Sequence, residues 1–331
     1  MSNSAGRRAS VRRTRRDGSP LEVVLATAVL AFVLAGVAAA LSSVHPVGPA
    51  RPAAHPSAAP VLATTWLAAH PQAALDVQGQ ADVLIDVGTR QVLWQRQPHE
   101  RRAPASLTKL VTAMVAADLA PLDKVVRVTG ATDADAVRQL EPTSTVMGLT
   151  AGQRISVRDL LYGVFLRSGG DAAETLAGGI VPRDQFVRLM NRKAAALGMR
   201  DSHFTTPVGL DDPAMRTTAY DVALAAAAVV TRYPALLAIS GTPSITLPQT
   251  ATHPQFAMVN YNKLVLPGSG FTYPGATGMK TAFTDDAGQC MVATATRGGR
   301  RLVAVVMDSP VFFSDAVKLL DYGFAAPLTR R

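Results

Sequence analysis

The chain has a single cysteine, Cys290, among 331 residues, so no disulfide can form within it. Cys290 stands in the apolar run Cys290-Met291-Val292-Ala293 and is expected to be a buried core thiol. Aromatic residues are scarce, at 5%; Trp66 and Trp94 are expected to pack in the interior rather than stack on sugar rings. His, Cys and carboxylates nowhere cluster at metal-ligand spacing, so the sequence implies no metal. Acidic residues are missing from the first sixteen positions, which hold Arg7, Arg8, Arg12, Arg13, Arg15 and Arg16. Through Leu41 only Asp17 and Glu22 oppose them, so this leader carries +4 of the formal +9. The remaining charge is spread along the chain. A basic stripe interleaved with aromatics is absent, which excludes a nucleic-acid partner.

What is present begins with one long apolar run. Val23 to Leu41 gives nineteen residues without a charge. A bilayer core needs about 20 apolar residues and a secretory signal about 7–15. We therefore expect a basic cytoplasmic leader over residues 1–20 and a transmembrane anchor over residues 21–43. Ala38-Ala39-Ala40 also fits a cleavage site, so a signal peptide, with secretion to the cell wall, is the alternative. In either case the arginines stay inside and the rest is exported, so the expected location is the cell membrane with an extracytoplasmic domain. Residues 44–62 are rich in Pro and Ala and read as a linker. Residues 63–327 form one folded domain, and 48% apolar content over the chain can fill its core.

Within that domain, Ala81 to Asp86 and Gln91 to Gln95 around a Gly88-Thr89 turn read as a β-hairpin. An irregular stretch precedes Gly148. Ser156-Val157-Arg158-Asp159 is a capping box opening a helix to Leu166. Ser168-Gly169-Gly170 reads as a tight turn, with Asp171 capping a helix over Ala172 to Ala177. Further helices are expected at Arg183 to Leu197 and at Thr218 to Arg232, the second stopped before Pro234. Three strands, Gly278 to Phe283, Gln289 to Thr296 and Arg301 to Asp308, form a meander, and a last helix spans Ser314 to Tyr322. Strands at both ends with helices between predict an α+β domain: an antiparallel sheet with helices on both faces.

One stretch carries chemistry. A helix beginning at or just before Ser106 shows apolar residues at Leu107, Leu110, Val111, Met114, Val115 and Leu119, the 3.6-residue period. Ser106 and Lys109 then share one face a turn apart. A serine becomes a nucleophile when a base takes its proton, and a lysine serves if burial lowers its pKa. By itself Ser-x-x-Lys is a common pattern, whose ordinary reading is a helix-capping serine followed by a surface lysine.

The wider pattern resembles the penicillin-recognising serine D-alanyl-D-alanine carboxypeptidases, the low-molecular-mass penicillin-binding proteins of peptidase family S11. Ala105-Ser106-Leu107-Thr108-Lys109 resembles the family's Ser-x-x-Lys box. Ser168-Gly169-Gly170-Asp171 stands where the family has Ser-x-Asn-Asp. Gly278-Met279-Lys280-Thr281-Ala282 stands where it has Lys-Thr-Gly on a strand. The resemblance implies the transpeptidase/β-lactamase-like fold, without the C-terminal β domain many members carry, and no cofactor. It implies that Ser106 attacks the penultimate D-Ala carbonyl of a peptidoglycan stem peptide and that Lys109 takes its proton. It further implies that Ser168 helps relay a proton to the leaving amine and that Lys280 and Thr281 bind the terminal carboxylate. The N–H groups of Ser106 and Phe283 would form the oxyanion hole. β-Lactam antibiotics would acylate the same serine.

Two substrate-binding positions depart from the family. Gly170 replaces Asn, removing an amide that would bond the substrate and orient Lys109, a role a water could fill in part. Ala282 replaces Gly, adding a methyl to the cleft. These changes motivate the alternative reading, a weakened or inactive relative that binds stem peptide or β-lactam without turnover. A β-lactamase would need a Glu-x-x-x-Asn segment after Ser168, which the sequence lacks.

Overall fold

The computed structural model describes residues 62–327. The expected leader, the anchor or signal and nearly all of the linker lie outside the described residues. Among the described residues no single helix is long and apolar enough to cross a membrane.

The centre is a five-stranded antiparallel sheet in the order β2-β1-β9-β8-β7. The predicted hairpin supplies β1 (Ala81–Asp86) and β2 (Gln91–Arg96), and the predicted meander supplies β7 (Ala276–Thr284), β8 (Gly288–Arg297) and β9 (Arg300–Met307). The first and last strands among the described residues thus pair with each other, Ala81 opposite Met307. Every residue of β1 is buried, as a central strand covered on both faces requires. One face carries Leu84, Trp94, Met291, Ala304 and Val306 and packs against α1 (Thr65–Ala69) and the last helix, α9 (Phe312–Ala325). That helix buries Phe313, Ala316, Leu319 and Leu320, a stripe at helical spacing. The opposite face, with Val83, Ile85, Val92, Cys290, Val292, Val303 and Val305, joins the larger core shared with the helices between the sheet's two halves.

Those helices are α2 (Lys109–Leu119), α3 (Ala134–Leu140), α4 (Val157–Leu166), α5 (Gly170–Ile180), α6 (Arg183–Leu197), α7 (Ala219–Arg232) and α8 (Pro234–Ser240). Ser156 accepts from the Asp159 N–H at 3.1 Å, as the capping box predicts. Gly198 stops α6 with φ 81°, a conformation that favours glycine. The remaining strands are short pairs: β3 (Val125–Arg127) with β4 (Arg154–Ser156), and β5 (Ser244–Leu247) with β6 (Phe256–Val259).

Three expectations need correction. Pro234 does end α7, but it also opens α8, because proline lacks only an N–H that a first helical turn leaves unpaired. The stretch before Gly148 contains β3 and α3, the latter begun by Asp133, whose carboxylate accepts from the Ala136 N–H at 2.9 Å. Helix α5 begins at Gly170, not Ala172. Asp171 accepts from its neighbour Ala172, and also from the N–H groups of Met147, Gly148 and Leu149, all at 2.8 Å. This wholly buried carboxylate fastens residues 147–149 onto α5.

Replacing it leaves the buried N–H groups of Met147, Leu149 and Ala172 without their partner, each worth about 1–3 kcal/mol. Asp171→Ala is therefore expected to lower unfolding free energy by at least about 3 kcal/mol, measured by urea denaturation. A loss under about 1 kcal/mol would show that the carboxylate does not hold that segment.

Candidate active site

Ser106 does not lie on a regular α-helix. Residues Ala105–Thr108 form a 3-10 turn that runs into α2 at Lys109. Side chains three apart eclipse in a 3-10 turn, so the change tightens the predicted pair. Lys109 Nζ stands 2.7 Å from Ser106 Oγ and donates to the Val208 carbonyl at 2.9 Å. Ala105 takes a left-handed φ of 44°, which turns the chain into the 3-10 segment. Gly209 lies against it so closely that a Cβ there would be 1.9 Å from the Ala105 carbonyl oxygen. Only glycine fits at that contact.

Lys109 is 1% exposed. Burial pulls its ammonium down from the ordinary lysine range to about 7, against the opposing fields of Asp171 and Glu174. The lowered value makes a lysine usable as a base near neutrality.

Ser106, Lys109, Ser168, Thr281, Ala282 and Phe283 all line one cleft of about 490 Å³. Its walls come from the 3-10 turn, the stretch after α3 (Glu141, Thr143, Ser144, Thr145), the loop holding Val208 to Asp211, and β7. β7 is the outermost strand of its sheet, so its free side faces this space. Ser168 adopts φ 56° and its carbonyl accepts from Thr145 Oγ1 at 3.0 Å. Ala282, 8% exposed, belongs to the larger core where that core borders the cleft, whereas Phe283 stands 61% exposed.

Two predicted site residues lie beneath the wall rather than on it. Lys280 is 1% exposed and its ammonium donates to the Thr281 carbonyl at 2.6 Å. Burial, and then the neighbouring Lys109 charge, push it well below the ordinary lysine value. Gly170 is buried and its N–H donates to the Thr145 carbonyl at 2.9 Å. Gly170 is not among the residues that line the cleft. A Cβ there would stand 2.9 Å from Val137 Cγ1 and 3.3 Å from Val208 Cγ1, so the space is already filled. The Val208 carbonyl is a site group that sequence reasoning missed. Every residue has a carbonyl, and nothing in the one-letter code marks this one.

Cys290 is buried as expected, which pushes its thiol up to about 12. Among the described residues no three or more His, Cys, Asp or Glu side chains converge as a metal site would need.

The sequence profile of the D-alanyl-D-alanine carboxypeptidase family, peptidase family S11, matches residues 67–311. D-alanyl-D-alanine carboxypeptidase DacB2 of Mycobacterium tuberculosis is 35% identical over 258 residues, covering 76% of this chain and 84% of the relative. DacF of Bacillus subtilis is 31% identical over 256 residues, covering 75% of this chain but 62% of its own length. The chain thus spans under two thirds of that relative. Among solved structures, a D-alanyl-D-alanine carboxypeptidase from M. tuberculosis superposes with a TM-score of 0.70 at 33% identity, covering 78% of this chain and 96% of the other. A Streptomyces DD-transpeptidase gives 0.70 at 29%, covering 77% and 100%.

The Lys109 environment yields a spectroscopic expectation. Its side-chain carbon resonance should titrate with a midpoint near 7. Lys193, held by Asp118 and Tyr233, should titrate above the ordinary lysine range. A Lys109 midpoint near that of Lys193 would mean its surroundings are wet.

Proposed function

The chain belongs to the D-alanyl-D-alanine carboxypeptidase family, and on that premise we propose that it removes the terminal D-Ala from peptidoglycan stem peptides through an acyl-enzyme on Ser106. The observation that carries this reading is the 2.7 Å contact between the half-buried Ser106 hydroxyl and the buried Lys109 amine at the foot of the cleft. Unprotonated Lys109 takes the hydroxyl proton as Ser106 Oγ attacks the penultimate D-Ala carbonyl. The N–H groups of Ser106 and Phe283 receive the oxyanion. The C–N bond then breaks, and the proton returns through Ser168 to the amine of the departing D-Ala. Water next attacks the ester carbonyl and gives a proton to Lys109; the ester C–O bond breaks, Lys109 returns that proton to Ser106 Oγ, and the shortened peptide leaves.

Substrate binding follows from the strand edge. A peptide laid along β7 pairs with it as an added strand, with its carboxylate at the Thr281 hydroxyl and the Lys280 charge acting from beneath. A β-lactam would enter the same place and acylate Ser106. The Ala282 methyl narrows the cleft where a glycine would leave it open. The arginine-rich leader and the charge-free run that follows support attachment to the cell membrane, with the domain outside.

The test is D-alanine release from a diacyl-Lys-D-Ala-D-Ala tripeptide by the full chain beside its Ser106→Ala variant. Release is expected from the parent and only background from the variant. No release from folded parent protein would overturn the carboxypeptidase reading in favour of a binding relative. Activity should rise with pH through about 7 as Lys109 loses its proton. Lys109→Arg, which stays charged, should abolish release at every pH.

A further inference from the structure

Gly170 sits between two valines that come from different parts of the chain. Val137 belongs to α3 and Val208 to the loop between α6 and α7, and both are buried. Their Cγ1 atoms would lie 2.9 and 3.3 Å from a Cβ at position 170. Val208 also has a second contact: its carbonyl accepts from Lys109 Nζ at 2.9 Å. The residues on either side of it are fixed. Pro207 accepts from Thr112 Oγ1 at 2.7 Å, and Gly209 donates to Thr206 Oγ1 at 3.0 Å while lying against Ala105.

We propose that Val137 and Val208, closed over the empty side-chain position of Gly170, form a wedge that sets the Val208 carbonyl on Lys109 and so aims its lone pair at Ser106. Neutral lysine has two N–H donors and one lone pair. Tying one donor to a rigid carbonyl restricts where the lone pair can point. The wedge orients the base through the backbone, as the family's side-chain amide would from position 170. Gly170 is then the residue this cleft is built around, and restoring an asparagine there is harmful. These three are positioning residues. Their proposed effect on rate rests on the reading of Lys109 as the base for Ser106; their effect on the Lys109 environment does not.

A purely vestigial Gly170 predicts the opposite sign. Gly170 does not have a positive φ, so its backbone accepts other residues, and a missing amide would be repaired by Gly170→Asn. The wedge predicts that Gly170→Asn slows acylation by a fluorescent penicillin at least tenfold. Adding Val137→Ala, which removes the 2.9 Å obstacle, should recover most of that loss. Gly170→Ala, adding the Cβ alone, should slow acylation less, and serves if the asparagine variant does not fold.

The second readout is the Lys109 titration, which needs no turnover. A carbonyl acceptor favours the ammonium form, so pushing Val208 away should move the midpoint of Lys109 downward. Val137→Ala in the Gly170→Asn background should bring it back. A merely structural role would change melting temperature and leave that midpoint in place. If the parent takes no penicillin while the titration shifts as described, the proposed function fails and the wedge stands. Faster acylation by Gly170→Asn, or an unmoved midpoint in a folded variant, would overturn the wedge.

Discussion

Keeping an amine dry beside a hydroxyl is the constraint on which the rest of this structure depends. A lysine in water holds its proton far above neutrality and cannot serve as a base. Lys109 is brought down to about 7 because the core closes around it, leaving Ser106 Oγ and the Val208 carbonyl as its partners. The closure draws on three separate segments: the 3-10 turn and α2 bring the lysine, the loop before α7 brings the carbonyl, and β7 covers the remaining side with Lys280. Lys280 in turn lies in the field of Lys109. Burial, and then the Lys109 charge, both favour the neutral form of Lys280.

The burial is sustained by unusually close backbone packing. Gly209 against Ala105 and Gly170 against Val137 are places where main chain stands in for side chain. Gly169 belongs with them, since a Cβ there would meet the Met147 nitrogen at 3.1 Å. Asp171 binds that same nitrogen and its two successors, so the glycine pair and the acid together seat one cleft wall on α5.

Much of this was legible in the sequence, for identifiable reasons. The Ser106–Lys109 spacing, the Ser156 cap and the meander of β7 to β9 are local signals, written in adjacent residues. The layer arrangement followed from strands at both ends of the domain. What escaped reading was what depends on distant partners. Asp171 looks like a helix cap because its neighbours do, and nothing nearby announces residues 147–149. Gly170 looks like a loss because the valines that fill its space lie in other elements. Helix α8 was hidden by treating Pro234 as a stop when it also serves as a start.

The sheet has two outer strands, and they are handled differently. At β2, Ala63 lies alongside: its N–H donates to the Arg90 carbonyl and its own carbonyl accepts from the Val92 N–H, both at 2.8 Å. At β7 no further strand pairs among the described residues, and the 3-10 turn and cleft walls stand over the edge instead. An unpaired strand edge is ordinarily an invitation to aggregate. Here the cleft walls roof the edge, so the broad sheet of a second molecule would meet them before it met the strand. The walls that shape the cleft thereby also shield a strand edge that would otherwise lie open.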